Sequence, residues 1–153
     1  GYDVHRLVPG RRLILGGVEI PFEKGLAGHS DADVLLHAVC DALLGASALG
    51  DIGLHFPDTS DEFKNISSIL LLEKTYEMVR EKGLEIINLD TTIFAEAPKL
   101  YHYRIAMQEK IARTVKCKKD RINIKATTAE GLGPIGRGEG IAATCIVLLA
   151  KTE

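Results

Sequence analysis

Helix and strand signals alternate along most of this chain, and that alternation restricts the possible folds more than any other feature. Residues 12–20, Arg-Leu-Ile-Leu-Gly-Gly-Val-Glu-Ile, read as a β-hairpin whose arms flank Gly16-Gly17. A turn-rich stretch, 23–33, comes next. Ser30 followed three residues later by Asp33 is an N-terminal helix signal, and a helix is expected over roughly 33–49 with Gly50 as its stop. Residues 51–60 show no period and read as a loop. A second helix is expected over 67–82, with Ile69, Leu72, Tyr76 and Val79 at helical spacing and Gly83 beyond its end. A strand over 84–95, a helix over 103–115 and a strand over 122–128 follow. A glycine-rich loop over 131–140 then leads into a last strand over 140–151. Alternating elements plus a hairpin imply an α/β two-layer sandwich, a mixed β-sheet with helices packed on one face. No repeat or linker interrupts it, so residues 1–153 read as a single domain.

At 153 residues the chain has room for a real core, burying about 68–70% of its unfolded surface. Its 19 basic and 21 acidic residues give a net charge of −2, which argues against a broad nucleic-acid surface. An anionic ligand must therefore be handled locally, by metals, backbone N–H groups and a few basic side chains. Cys40, Cys117 and Cys145 form no CxxC pair, and Cys40 and Cys145 lie in apolar runs, which fits reduced thiols in a reducing compartment. The apolar stretches are too short to span a bilayer, and no signal peptide is visible. The expected setting is a reducing compartment.

Asp3 and His5 stand two apart, so on an extended segment they point to the same side. His37 interrupts the apolar run 34–39 and can meet them from a helix. One carboxylate and two imidazoles make three N/O ligands, the number a catalytic zinc site uses when it keeps a position open. Taken alone, such histidines are more often surface or satisfied core residues than ligands.

The order of motifs is more particular. Gly1-Tyr-Asp-Val-His-Arg6, Gly28-His-Ser-Asp-Ala-Asp-Val-Leu-Leu-His-Ala38, Gly50-Asp-Ile-Gly-Leu-His-Phe-Pro-Asp-Thr59, Ala97-Pro-Lys99 and Lys125-Ala-Thr-Thr-Ala-Glu-Gly-Leu-Gly-Pro-Ile-Gly-Arg-Gly-Glu-Gly140 occur in succession. Together they resemble the 2-C-methyl-D-erythritol 2,4-cyclodiphosphate synthase family across essentially the whole chain. The resemblance implies a homotrimer with active sites at the subunit interfaces, in the cytoplasm of a bacterium or the plastid stroma of a eukaryote. It implies cyclisation of 4-diphosphocytidyl-2-C-methyl-D-erythritol 2-phosphate with release of CMP, in non-mevalonate isoprenoid biosynthesis. Asp3, His5 and His37 match the family's Zn²⁺ ligands, and Glu130 the carboxylate for a second ion, Mg²⁺ or Mn²⁺. His29 and Thr128 match the residues that stabilise the pentacovalent transition state, and Ser30 would help hold the attacking phosphate.

By the same resemblance, Asp51, Ile52 and Gly53 would grip the methylerythritol hydroxyls, with Phe56, Pro57, Asp58, Thr59 and Ser60 closing over them. Ala95, Glu96, Ala97, Pro98, Lys99, Leu100 and Tyr101 would wrap cytosine and ribose. Thr127, Thr128, Ala129 and Glu130 would line the diphosphate from the neighbouring subunit. Three copies of Arg137 would meet near the three-fold axis, each paired with Glu139, and could hold an anion or an isoprenoid diphosphate. Pro134 stands where an aromatic is expected, and Leu54 where a polar or basic residue is common. The first strand is expected to be cut short at Gly1. Asp41, one turn after His37, is open between orienting a metal ligand and a solvated helix position. Lys125 is open between phosphate and solvent, and His55 and His102 read as surface residues. Asp31 and Asp33 read as structural caps. Two other functions compete, a metal-dependent phosphohydrolase and a non-catalytic anion binder; the missing general base argues against the first, and the three ligands against the second.

Overall fold

A computed structural model describes residues 1–152. Its strands are β1 (Tyr2–Pro9), β2 (Leu13–Leu15), β3 (Val18–Ile20), β4 (Lys24–Leu26), β5 (Leu84–Phe94), β6 (Ile122–Thr127) and β7 (Gly140–Lys151). Its helices are α1 (Val34–Ala46), α2 (Ile52–His55), α3 (Ser68–Glu81), α4 (Arg104–Thr114) and α5 (Gly133–Gly136). Five strands form one sheet in the order β4-β1-β7-β5-β6, and β2 and β3 make a separate hairpin. Only β5 and β6 run parallel; β1, β4, β5 and β7 pair antiparallel. The sheet is mixed, as the alternating pattern requires, with the helices against one face.

The helix α1 holds this sandwich together because nearly every side chain on it is apolar and buried, from Val34 to Leu44. It packs on β7 and β1 on one side and on α3 on the other. A helix apolar all round belongs at the centre of two layers. His37 and Asp41 are the polar exceptions on this run, and both are only partly covered. Strand alternation does the equivalent sorting on β1. Tyr2 and Val4 point outward and are exposed, whereas Asp3 and His5 turn back toward the α1 side.

The start of α1 is capped by Asp33 rather than Ser30. Asp33 Oδ1 accepts the Leu36 N–H at 3.0 Å and the Gly16 N–H at 2.9 Å, and Oδ2 accepts the Gly17 N–H at 2.7 Å. One buried carboxylate thus satisfies a helix terminus and a hairpin turn together. The turn needs both glycines, since Gly16 and Gly17 have φ of 58° and 73°. Two further departures from the sequence reading are local. The turn-rich stretch contains β4, which pairs with the second half of β1, and the loop 51–60 contains the single turn α2. The glycine-rich loop likewise contains one turn, α5.

Candidate active site

Asp3 and His5 from β1 meet His37 from α1 at the floor of a cavity of about 570 Å³. Asp3 Oδ2 lies 2.9 Å from His5 Nε2 and 2.9 Å from His37 Nδ1, and the two nitrogens are 3.1 Å apart. A tetrahedral zinc with bonds of about 2.0–2.1 Å has ligand-to-ligand edges near 3.3 Å, so the triangle fits such an ion within a few tenths of an ångström. Chemistry favours the same reading. His5 Nδ1–H donates to the Ala27 carbonyl at 2.8 Å, which leaves a lone pair on Nε2. Lone pairs converging on one point need a cation or protons between them.

The electrostatics reflect this convergence. Burial alone would raise the Asp3 carboxyl, but hydrogen bonds and charge from His37 and His5 hold it well below the usual carboxylate range. His5 is pulled down by burial and, more strongly, pushed up by the Asp3 carboxylate and the Ala27 carbonyl. Among the described residues, these three side chains are the group of histidine, cysteine and carboxylate atoms close enough to share a metal.

Two segments supply most of the remaining cavity wall, with Tyr2, Asp41, Phe63 and Leu71 completing it. Gly28, His29 and Ser30 line one side, and Ile52, Gly53, Phe56, Pro57, Asp58 and Thr59 line the other. His29 Nε2–H donates to the Ser60 carbonyl at 2.9 Å, and the Asn65 N–H donates back to the His29 carbonyl at 2.8 Å, so the loops are tied together. Asp51 caps α2 through the Leu54 N–H. Ser30 is buried, with its hydroxyl 3.1 Å from His37 Nε2. Asp41 accepts the Ile52 N–H at 3.3 Å and so joins α2 to α1. It is neither a purely solvated residue nor a partner of His37. His55 is half-buried, donating to the Leu49 carbonyl at 2.7 Å, which corrects its reading as a surface residue; His102 is exposed.

One residue that sequence reasoning passed over is Arg11. Its guanidinium donates to the Gly28 carbonyl at 3.2 Å and the Ser30 carbonyl at 3.0 Å, bracketing His29 from both sides. No local pattern signals this, because the contact spans the β2–β3 hairpin and β4.

A second cavity, of about 340 Å³, lies at the far end of the sheet where β5 and β6 finish. Ala95, Glu96, Pro98, Lys99, Leu100, Tyr101, Thr127 and Thr128 line it, and the Ala97–Pro98 peptide there is cis. Arg104 adds a wall, its guanidinium 4.7 Å from the centre of the Tyr101 ring. Glu96 does more than line the pocket. It accepts the Ala129 N–H at 2.9 Å and the Gly131 N–H at 3.1 Å, on either side of exposed Glu130. Glu130 itself has φ of 53°, an unusual conformation for a residue with a side chain, and Glu96 anchors the backbone flanking it. Lys125 on β6 is paired with Asp90 on β5 at 2.6 Å. Arg137 lines neither cavity; its Nε donates to Glu139 at 2.7 Å, as expected.

Within this chain, then, the triangle of Asp3, His5 and His37 with His29 and the Tyr101–Thr128 pocket lie in separate cavities. The YgbB family profile matches residues 1–150. The 2-C-methyl-D-erythritol 2,4-cyclodiphosphate synthase of Desulfatibacillum aliphaticivorans is 62% identical over 149 residues, which are 97% of this chain and 96% of that protein. The chain belongs to this family.

Other members agree. The synthase of Alkaliphilus metalliredigens is 59% identical over 152 residues, 99% of this chain and 96% of its own length. A solved structure of a family synthase bound to CDP is 37% identical, superposes with a TM-score of 0.90, and matches 98% of this chain and 97% of that one. The bifunctional IspDF of Campylobacter jejuni is 49% identical with a TM-score of 0.97, and this chain spans 42% of its length. The family's mixed sheet with helices on one face is therefore the fold of this chain. No described helix is long and apolar enough to cross a membrane.

Proposed function

We infer that this chain cyclises 4-diphosphocytidyl-2-C-methyl-D-erythritol 2-phosphate to 2-C-methyl-D-erythritol 2,4-cyclodiphosphate and releases CMP, acting as a single synthase domain. Family membership supports the reaction, and the triangle of Asp3, His5 and His37 at the cavity floor is the observation that carries it. In the reaction an oxygen of the 2-phosphate forms a bond to the β-phosphorus. The bond from that phosphorus to the bridging oxygen breaks, and CMP leaves with the oxygen and its electron pair. No water enters. The nucleophile is already an anion, so the chain has no proton to abstract and works by positioning and by neutralising charge.

Asp3, His5 and His37 suit a zinc ion, which when bound supplies Lewis-acid polarisation of a phosphoryl oxygen. Glu130, exposed on the loop pinned by Glu96, suits a hard divalent cation such as Mg²⁺ or Mn²⁺. His29 and Thr128 face the transferring phosphoryl group, with Ser30 beneath it. The segment 51–60 holds the methylerythritol portion, with Asp51, Ile52 and Gly53 on its hydroxyls. The pocket of Ala95 to Tyr101 takes the cytidine.

A working site needs both half-sites, and a homotrimer supplies them from neighbouring copies. The outward face of the sheet supports assembly: Tyr2, Val4, Ile146 and Leu148 are exposed there on β1 and β7. Mixed trimers test this arrangement. His37→Ala damages one half-site and Thr128→Ala the other, so each variant alone is inactive. In a random equal mixture, about one interface in four joins two intact halves, and about a quarter of wild-type activity returns. A mixture as inactive as its components contradicts a site shared between chains.

A further inference from the structure

The two ring nitrogens of His37 keep different company. Nδ1 belongs to the triangle with Asp3 and His5. Nε2 meets two hydroxyls, Ser68 Oγ at 3.0 Å and Ser30 Oγ at 3.1 Å. Ser68 is the first residue of α3 and is fully buried. Its backbone N–H donates to Asp31 Oδ2 at 3.0 Å, and its hydroxyl is hydrogen-bonded to Asp31 Oδ1. Asp31 Oδ1 also accepts the Asp33 N–H at 3.2 Å.

The direction of this chain of bonds follows from the end that cannot donate. A carboxylate only accepts, so the Ser68 O–H points at Asp31. The Ser68 oxygen then offers His37 a lone pair and nothing else. His37 Nε2 must therefore carry the proton, which leaves the lone pair of Nδ1 directed at Asp3 and His5. Ser30 does not impose this choice. Its oxygen accepts the Ala32 N–H at 3.2 Å, but its own proton is free to turn toward or away from His37.

We propose that Asp31 and Ser68 are positioning residues for the metal centre: Asp31 orients the Ser68 hydroxyl, Ser68 holds His37 in its Nε2–H form, and His37 presents Nδ1 to the cation. The inference rests on Asp3, His5 and His37 being the zinc ligands. It also gives the start of α3 a task, since the first residue of that helix reaches the metal centre from behind. Partners of this kind fix the tautomer and ring orientation of a metal-binding histidine.

The test compares zinc affinity, measured by competition with a chromophoric chelator, in wild type, Ser68→Ala and Ser68→Cys. The visible spectra of the Co²⁺-substituted proteins and the melting of the zinc-free proteins are recorded alongside. Ser68→Ala is expected to bind zinc about 10- to 100-fold more weakly. Its Co²⁺ bands should shift, while the zinc-free protein melts close to wild type. Ser68→Cys keeps the branching and fills the space with a slightly larger atom but accepts hydrogen bonds poorly, and should behave like Ser68→Ala; it decides the question if the alanine variant does not fold. Wild type that fails to bind zinc refutes the ligand assignment itself. Wild type and Ser68 variants with equal zinc affinity overturn the present inference alone. Weakened affinity with unchanged Co²⁺ bands and an equally weakened zinc-free fold assigns Ser68 to packing, and also overturns it.

Discussion

Asp33 offers a quantitative test of how the hairpin and α1 are joined. Its carboxyl has no exposed surface, and burial pushes it up from 3.8 to about 6, against the opposing pull of the N–H groups of Gly17, Leu36 and Gly16. Asp33→Asn removes the charge and keeps the shape. With its oxygen at the Oδ1 position, the amide retains the bonds from Gly16 and Leu36 and sets an NH₂ against the Gly17 N–H. That lost bond costs about 1–3 kcal/mol. The relief of charge burial above pH 6 is the energy of a shift of roughly two pH units, about 3 kcal/mol. At neutral pH the two terms nearly cancel.

Their pH dependence does not cancel. Because the folded pKa lies above the unfolded one, the native state binds the proton more tightly. This contribution to wild-type stability is fully present below pH about 4 and is lost as pH rises through about 6. The asparagine variant has no such contribution. The difference in unfolding free energy, wild type minus variant, should fall by about 3 kcal/mol across that window. The chain has no tryptophan, so urea unfolding is followed by far-ultraviolet circular dichroism, on metal-free protein at fixed concentration. Asp3 and His5 titrate alike in both proteins and drop out of the difference. A difference that is flat, or rises with pH, refutes the reasoning.

Three further outcomes are expected at the site. His37→Ala leaves two ligands and should lose stoichiometric zinc and nearly all cyclisation while remaining folded; full zinc content with normal turnover, by metal analysis and CMP release, would remove the metal assignment. Glu130→Gln should keep zinc but need more Mg²⁺ or Mn²⁺, since an amide is the poorer ligand, and an unaltered divalent-ion titration would contradict that role. Arg137→Ala should weaken binding of inorganic diphosphate in calorimetry. Because Pro134 offers less apolar surface than an aromatic, geranyl diphosphate should bind wild type little better than inorganic diphosphate does.

The legible parts of this fold are those with local causes. Helices α1, α3 and α4 were expected within a few residues of where they lie, because apolar spacing, caps and stop glycines all act within a turn or two. The strand β7 matches its expected bounds, and the hairpin turn was marked by Gly16-Gly17. What stayed hidden depends on distant partners. Three residues containing a glycine become β4 only because β1 pairs with them. The turns α2 and α5 are too short to show a period.

The same division applies to the site. Strand alternation puts Asp3 and His5 on one side and His37 breaks an apolar run, but only the family resemblance singles the three out as a ligand set, and the fold brings them together. The supports around them could not be read from the sequence, because they reach across the chain. Arg11 grips residues on both sides of His29, Ser68 stands 37 positions from Asp31, and Glu96 holds the backbone around Glu130. The family resemblance gives Glu96 to the nucleotide pocket alone, and its second task appears only once β5 and β6 end side by side.

The central claim is that the attacking group is the substrate's own 2-phosphate and not water. Purified protein with zinc and Mg²⁺ is incubated with 4-diphosphocytidyl-2-C-methyl-D-erythritol 2-phosphate, and the products are followed by phosphorus NMR. The account predicts CMP and the 2,4-cyclodiphosphate in equal amounts, with two coupled phosphorus signals from the ring. CMP accompanied by a linear bisphosphate, or no CMP at all, would contradict it.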